Sequence, residues 1–285
     1  MRTVVITGTT SGIGGACAAR LSASGFRVFA GHRREAGDLS LAAASPRLEP
    51  VRLDVTDPDQ IVAAAERVDE VVGAEGLWGL INNAGIPVSG PVEAIALDDL
   101  RRQLEVNLVG QVAVTQAFLP ALRRARGRIL NMTSVGGRVA TPFMGAYHAS
   151  KAGLEAISDS LRRELAPLGV DVCVIEPGSV ATGIWERGRG QAAEAGARIS
   201  SEAEAVYGAE MAAALEAANR TGERGIDPDE VAAVAEAALT ARRPRARYVV
   251  GSDARTMIWG QTLLPARVYD RLMRRAMGLG RGRRR

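Results

Sequence analysis

Thr3-Val4-Val5-Ile6-Thr7-Gly8-Thr9-Thr10-Ser11-Gly12-Ile13-Gly14 opens the chain with a short apolar run, a glycine-bearing turn and the start of a helical pattern. Glycine accepts backbone conformations that side chains resist, and it lets a backbone approach a ligand closely. A helix beginning at such a turn offers unpaired amide donors and positive potential to an anion. In a strand–turn–helix setting, Gly8, Thr10, Ser11, Gly12, Ile13 and Gly14 therefore read as a cradle for a nucleotide pyrophosphate. The spacing is G-x-x-x-G-x-G, which departs from the commoner G-x-G-x-x-G fingerprint.

The pattern continues outward from there. Apolar runs at Val4–Thr7, Arg27–Ala30, Pro50–Leu53, Gly79–Asn82, Arg128–Met132, Val172–Ile175 and Tyr248–Val250 alternate with helical stretches near 13–24, 58–73, 98–123, 151–168 and 228–242. The runs lack polar alternation, as expected of strands buried on both faces of a parallel sheet. Asp57-Pro58 and Asp227-Pro228 each read as an N-cap followed by proline at the first helical position. The expected fold is α/β: a doubly wound parallel sheet of about seven strands with helices on both faces. No linker, repeat or low-complexity block divides residues 1–285, so one domain is expected.

Bulk properties narrow the class. The chain is 47% apolar but only 4% aromatic, its formal net charge is +4, and part of that charge sits in Arg281, Arg283, Arg284 and Arg285. A solvated tail, with no nucleic-acid partner, is the expectation. Cys17 and Cys173 suit reduced core thiols. No signal peptide or membrane-length apolar run is read, so a cytoplasmic protein is expected, with no metal site.

Thirty-six residues are basic, yet Lys151 is the sole lysine. Lysine is a compact point charge, whereas arginine is a wide planar fork. Tyr147, four residues earlier, would share its helix face. At the end of the second strand stands Gly31-His32-Arg33-Arg34, where a carboxylate would bond a free ribose 2′-hydroxyl. Arg33 could instead pair with a 2′-phosphate, which favours NADP(H), with NAD(H) kept as the alternative by nearby Glu35.

The glycine turn, Asn82-Asn83-Ala84-Gly85, Tyr147-His148-Ala149-Ser150-Lys151 and Pro177-Gly178-Ser179-Val180-Ala181-Thr182 together resemble the short-chain dehydrogenase/reductase family. Its motifs T-G-x-x-x-G-I-G, N-N-A-G, Y-x-x-x-K and P-G-x-V-x-T recur here in order. The local wording is similar to the retinol, hydroxysteroid and 3-hydroxybutyrate dehydrogenase branch. The resemblance implies a Rossmann-like fold and a catalytic tetrad of Asn107, Ser134, Tyr147 and Lys151. It places Asp54 and Val55 at adenine and Asn83, Ala84 and Gly85 along the adenosine ribose. Pro177, Gly178, Val180 and Thr182 would hold the nicotinamide carboxamide.

Tyr147 would act as general acid/base for hydride transfer between nicotinamide and an alcohol/carbonyl pair, with its pKa lowered by Lys151. Lys151 would also bond the nicotinamide ribose, and Asn107 would interrupt its helix and anchor a water leading to the lysine. Ser134 would hold the substrate oxygen. His148 is read as a structural or pocket-edge residue, because neighbouring side chains on a helix diverge.

Residues 183–226 would form a substrate lid, with Ile184 and Trp185 joining Val135, Phe143 and Met144 around an apolar steroid-, retinoid- or lipid-like substrate. Residues 254–285 form a helical, basic extension that packs on its own domain or a subunit partner, with a membrane-surface helix as the alternative. The family implies a homodimer or homotetramer. Competing readings are a non-enzymatic NAD(P)-binding regulator, an isomerase or epimerase, and an NAD-dependent dehydrogenase of a small hydroxy acid.

Overall fold

The structure, a computed structural model, describes residues 1–33, 45–181 and 201–279. Strands β1 (Thr3–Ile6), β2 (Arg27–His32), β3 (Leu48–Arg52), β4 (Gly79–Asn82), β5 (Arg128–Met132), β6 (Asp171–Pro177) and β7 (Arg247–Val250) form one sheet in the order β3-β2-β1-β4-β5-β6-β7. Every neighbouring pair is parallel. The strand order reverses between β1 and β4, so the carboxyl ends of these strands open a crevice at the middle of the sheet.

Both faces are covered. Cys17, Ala18 and Leu21 of helix α1 (Gly12–Ala23) meet Ala232, Ala235 and Leu239 of helix α7 (Pro228–Thr240) over Val4, Ile6 and Val28. On the opposite face, helix α2 (Pro58–Val72) brings Ile61 and Val68, and helix α4 (Gly110–Ala125) brings Val114, Phe118 and Leu122, over Val5, Phe29, Leu80 and Ile129. Phe29 and Phe118 are fully buried, a gain of about 1.5–3 kcal/mol each relative to exposure. The two anticipated caps form: Asp57 accepts from the Asp59 and Gln60 amides at 3.1 and 3.2 Å, and Asp227 makes a capping box with Glu230. Burial pushes Cys17 and Cys173 up to about 12, which keeps both thiols protonated and unreactive.

Several boundaries depart from the sequence reading. The helix expected over 98–123 is two helices, α3 (Leu97–Leu104) and α4, joined by a π turn at Glu105–Val109. Helix α5 runs Gly145–Leu165, so it starts before Tyr147 rather than at 151. Part of the expected lid is a long helix, α6 (Ser201–Glu223).

The C-terminal extension is a pair, α8 (Ser252–Leu263) and α9 (Ala266–Ala276), separated at Pro265, which cannot continue a helix. Met257, Ile258, Tyr269 and Met273 pack inward on Val135, Val139 and Ala254, while Trp259, Leu263 and Leu272 remain exposed. The terminal arginines lie outside the described residues. Among the described residues, no helix is long and apolar enough to cross a membrane.

Candidate active site

The glycine turn is built by contacts that leave no room for side chains. Gly8 and Gly12 have φ of 70° and 61°, in the left-handed region. A Cβ on Gly14 would lie 2.2 Å from the Gly8 carbonyl oxygen and 2.5 Å from Asn83 Nδ2. Gly14 therefore lets α1 start against the turn and does not itself line the cleft. Thr7 Oγ1 accepts from the Asn83 and Ala84 amides at 2.9 Å each, and Asn83 Nδ2 donates back to the Thr7 and Gly8 carbonyls. The N-N-A-G segment thus locks the turn.

A cleft of about 480 Å³ runs from Gly8, Thr10, Ser11, Gly12 and Ile13, past Arg33, Asp54, Val55 and Asn83–Gly85, to Asn107, Tyr147 and Lys151. It brings together most of the residues expected to bind cofactor and three of the four expected to carry chemistry. Its elongated lining, tight glycine turn and helix N-terminus fit a dinucleotide. Arg33 is exposed at the rim beside buried His32. Asp54 Oδ1 accepts from the Thr56 amide at 3.0 Å and its hydroxyl at 2.8 Å, which fixes the turn after β3.

Beside the cleft, one row of polar side chains on α3, the π turn and α4 grips the chain leaving β4. Gln103 accepts from the Val88 amide at 2.6 Å and donates to the Ile86 carbonyl at 2.8 Å. Asn107 accepts from the Ile86 amide at 2.8 Å and donates to its carbonyl at 3.0 Å. Gln111 donates to Ala84 O at 2.8 Å, and Thr115 Oγ1 accepts from Asn82 Nδ2 at 2.8 Å. Asn107 also donates to Ser150 Oγ, which donates to the Tyr147 carbonyl. Sequence reasoning singled out Asn107 but missed Gln103, Gln111, Thr115 and Ser150. The signal for Gln103, Gln111 and Thr115 was a polar residue at every fourth position of a largely apolar helical stretch; Ser150, on α5, carried no such signal.

Tyr147 and Lys151 lie one turn apart on α5, as the spacing requires. Lys151 is buried and its Nζ donates to the Met132 carbonyl at 2.9 Å; burial lowers its pKa to about 8. Tyr147 behaves opposite to expectation: burial pushes its phenol up, opposed by a hydrogen bond with Ser134. The correction has a physical reason. The ammonium lies 5.8 Å from the Tyr147 ring centre and turns toward Met132, while burial disfavours the charged form of both groups.

His148 is structural, as read: its ring nitrogens sit 2.9 Å from the Gly136 carbonyl and 3.0 Å from the Thr141 amide. The amide requires Nε2 as acceptor, so Nδ1 carries the proton. Burial lowers the His148 pKa, opposed by the Gly136 carbonyl.

Lys151 gives a pH prediction. Its unfolded value is 10.5 and its folded value about 8, so between these the unfolded chain holds more protons and stability rises with pH. The span corresponds to about 3 kcal/mol. Urea unfolding of wild type and Lys151→Met at pH 7.5 and 10.5 should show the wild type gaining relative to the variant. A constant difference would refute the shift.

Ser134 accepts from the Gly136 amide at 3.0 Å and meets the Tyr147 hydroxyl. Pro177 and Gly178 follow the β6 backbone out of the sheet, and Val180 bridges to Ile226; neither these nor Ser134 lines the cleft. Val135, expected at the pocket, instead packs under α8 and α9 with Val139 and Ala254. Phe143 has φ 65° and meets the Tyr207 ring of α6 edge-on at 6.4 Å. Met144 precedes α5 as its N-cap. Thr182, Ile184 and Trp185 lie outside the described residues.

Known proteins are similar to this chain in sequence and fold. The family model described as short chain dehydrogenase matches residues 2–192. Mouse (Mus musculus) retinol dehydrogenase 16 is 44% identical over 276 residues, covering 95% of this chain and 87% of that protein. Human (Homo sapiens) 17-beta-hydroxysteroid dehydrogenase type 6 is 40% identical over 284 residues, covering 96% and 88%. A short-chain dehydrogenase structure from Burkholderia cenocepacia J2315 in complex with NADP has a TM-score of 0.73 at 28% identity, covering 95% of this chain and 99% of that one. With a parallel sheet, glycine cradle and Tyr147–Lys151 pair of this form, and a family match over more than half its length, the chain belongs to the short-chain dehydrogenase family and is an NAD(P)-dependent oxidoreductase.

Proposed function

We propose that this enzyme interconverts an apolar alcohol and its carbonyl with NADP(H), using Tyr147 as the proton donor and acceptor. The observation that carries the reading is Tyr147 one helical turn from the buried Lys151, both lining the cleft that begins at the glycine turn, with the Lys151 pKa lowered by burial to about 8. The glycine turn would hold the pyrophosphate, Asp54–Val55 the adenine, Asn83–Gly85 and Lys151 the riboses, and Arg33 a 2′-phosphate. Bound nicotinamide supplies or receives the hydride.

The protein's own groups manage the proton. A phenol raised by burial stays protonated at neutral pH, so it can donate to a substrate oxygen held by Ser134. Lys151, near 8, exchanges a proton close to neutral pH and can restore the phenol. Arginine keeps its charge far above this range and has no such role. The relatives named for retinol and hydroxysteroids, and the aromatic contact of Phe143 with Tyr207 near the start of α5, support an apolar substrate.

The test is oxidation of NADPH and NADH across bulky apolar and small polar ketones, by wild type and Arg33→Ala. Turnover is expected with bulky ketones and NADPH. Loss of one charge-assisted pair, about 1.5–3 kcal/mol, should raise the NADPH KM roughly tenfold or more and leave NADH nearly unchanged. Turnover confined to small polar ketones would remove the apolar assignment. An Arg33 variant with unchanged cofactor preference would remove the 2′-phosphate assignment.

A further inference from the structure

The geometry points to Asp253, in the C-terminal extension, as a positioning residue for the nicotinamide end of the site. This rests on the proposed function together with the family resemblance, which sets the loop after β6 at the nicotinamide. Asp253 is in the first turn of α8, yet α8 has no side-chain cap. Its carboxylate reaches 74 residues back along the chain, where Oδ2 accepts from the Ser179 amide at 2.8 Å.

The slot that receives it is walled by two glycines. A Cβ on Gly178 would lie 2.3 Å from Asp253 Oδ1, and one on Gly251 would lie 2.4 Å from the same atom. Gly251 also has φ 103°, a conformation that side chains resist. The carboxylate therefore fits only where both neighbours lack side chains. Other bonds complete the hold on the loop. Gly178 N donates to Val250 O at 2.9 Å, Ile226 N to Ser179 O at 3.0 Å, and Ala181 N to Ile226 O at 2.9 Å.

Among these bonds, only that of Asp253 comes from a side chain, and only it carries a charge. A carboxylate accepting from an amide is stronger than a neutral pair. Without it, Ser179 N–H loses its partner and the Gly178–Val180 backbone gains freedom. Asp253 bonds the loop and does not line the cleft that carries the glycine turn, so its effect should fall on the nicotinamide half of the cofactor and spare the adenosine half. The extension beyond β7 thereby becomes part of the cofactor site.

The experiment measures Kd for NADPH and for adenosine 2′,5′-bisphosphate, which lacks the nicotinamide half, in the full chain. Asp253→Ala should weaken NADPH about tenfold, equivalent to about 1.4 kcal/mol, and leave the bisphosphate within twofold of wild type. Asp253→Asn, which keeps an oxygen acceptor, should restore most of the NADPH affinity. Gly251→Ala touches no cofactor candidate but crowds the carboxylate, and should reproduce the split if Asp253→Ala folds poorly. Equal weakening of both ligands, or no weakening of NADPH, would overturn the role. Wild-type protein that bound neither NADPH nor NADH would overturn the proposed function as well, whereas normal wild-type binding with an unaffected Asp253→Ala overturns this inference alone.

Discussion

Tyr147→Phe is expected to lower turnover by about 10²–10⁴-fold, the usual weight of a positioned acid/base, with NADPH affinity within about threefold of wild type. The phenylalanine ring can keep the edge-on contact with His148, 5.7 Å between centres, so the backbone of α5 and the Ser150–Asn107 link should persist. Only the hydroxyl that meets Ser134 is lost. Single-turnover measurement separates this from slow product release. Turnover indifferent to the change would remove Tyr147 from the proton path and favour a cofactor-binding regulator or a different proton donor. The combination of lost chemistry and retained cofactor binding is what distinguishes a donor from a scaffold residue.

Arg247→Met is expected to cost about 3–5 kcal/mol of stability, because it removes one partner of a buried ionic cluster. Arg247 Nη1 donates to Glu176 Oε1 at 3.0 Å and to Glu155 Oε2, and Nη2 donates to Asp159 Oδ1 at 2.9 Å. Glu176 is fully buried, and burial already pushes its pKa up against the pull of Arg138. Glu155 also accepts from the Thr133 hydroxyl at 2.6 Å, next to Ser134, so the damage should reach the site.

The pH dependence has a definite sign. Without Arg247 the buried Glu176, whose pKa burial already raises, loses a neighbouring cation and is held further above its unfolded value, so the lost stability returns as pH falls toward the carboxylate range. Urea midpoints at pH 7.5 and 5 should therefore converge on wild type at the lower pH. A deficit independent of pH would point to packing rather than charge.

Much of this molecule is legible in its sequence because the signals are local. The buried strands betray themselves as Val, Ile and Leu runs, the glycine turn by its spacing, and the starts of α2 and α7 by Asp-Pro pairs. The failures have equally local causes. The helix expected from 151 begins earlier, at Gly145, and Gly153 within it lies against Leu108, where a Cβ would come within 2.9 Å. Hydrophobic periodicity does not register one surplus residue, so the π turn passed unseen as an element even though family resemblance put an interruption at Asn107.

Nor does sequence reveal burial at a particular atom, which is why the direction of the Tyr147 shift came out reversed. The long-range pairs were beyond reach for another reason. Arg247 stands 92 residues from Glu155 and 71 from Glu176, and nothing in the local wording joins them. Val135 shows the same limit: its neighbours come from the C-terminal helices.

The polar row along α3 and α4 obeys an arithmetic that explains why the π turn is there. Gln103, Asn107, Gln111 and Thr115 recur every four residues, and they serve residues 88, 86, 84 and 82, which recur every two. Four helical residues advance about 6 Å and two extended ones about 6.6 Å, so the two pitches nearly match. Angle is the difficulty: three steps of four in a regular helix overshoot by about 120°, at roughly 100° per residue. The surplus residue of the π turn absorbs most of that overshoot and brings the rungs back into phase. Deleting Glu105 would leave the apolar content intact, yet throw the Gln103 end of the row out of mesh with the segment leaving β4.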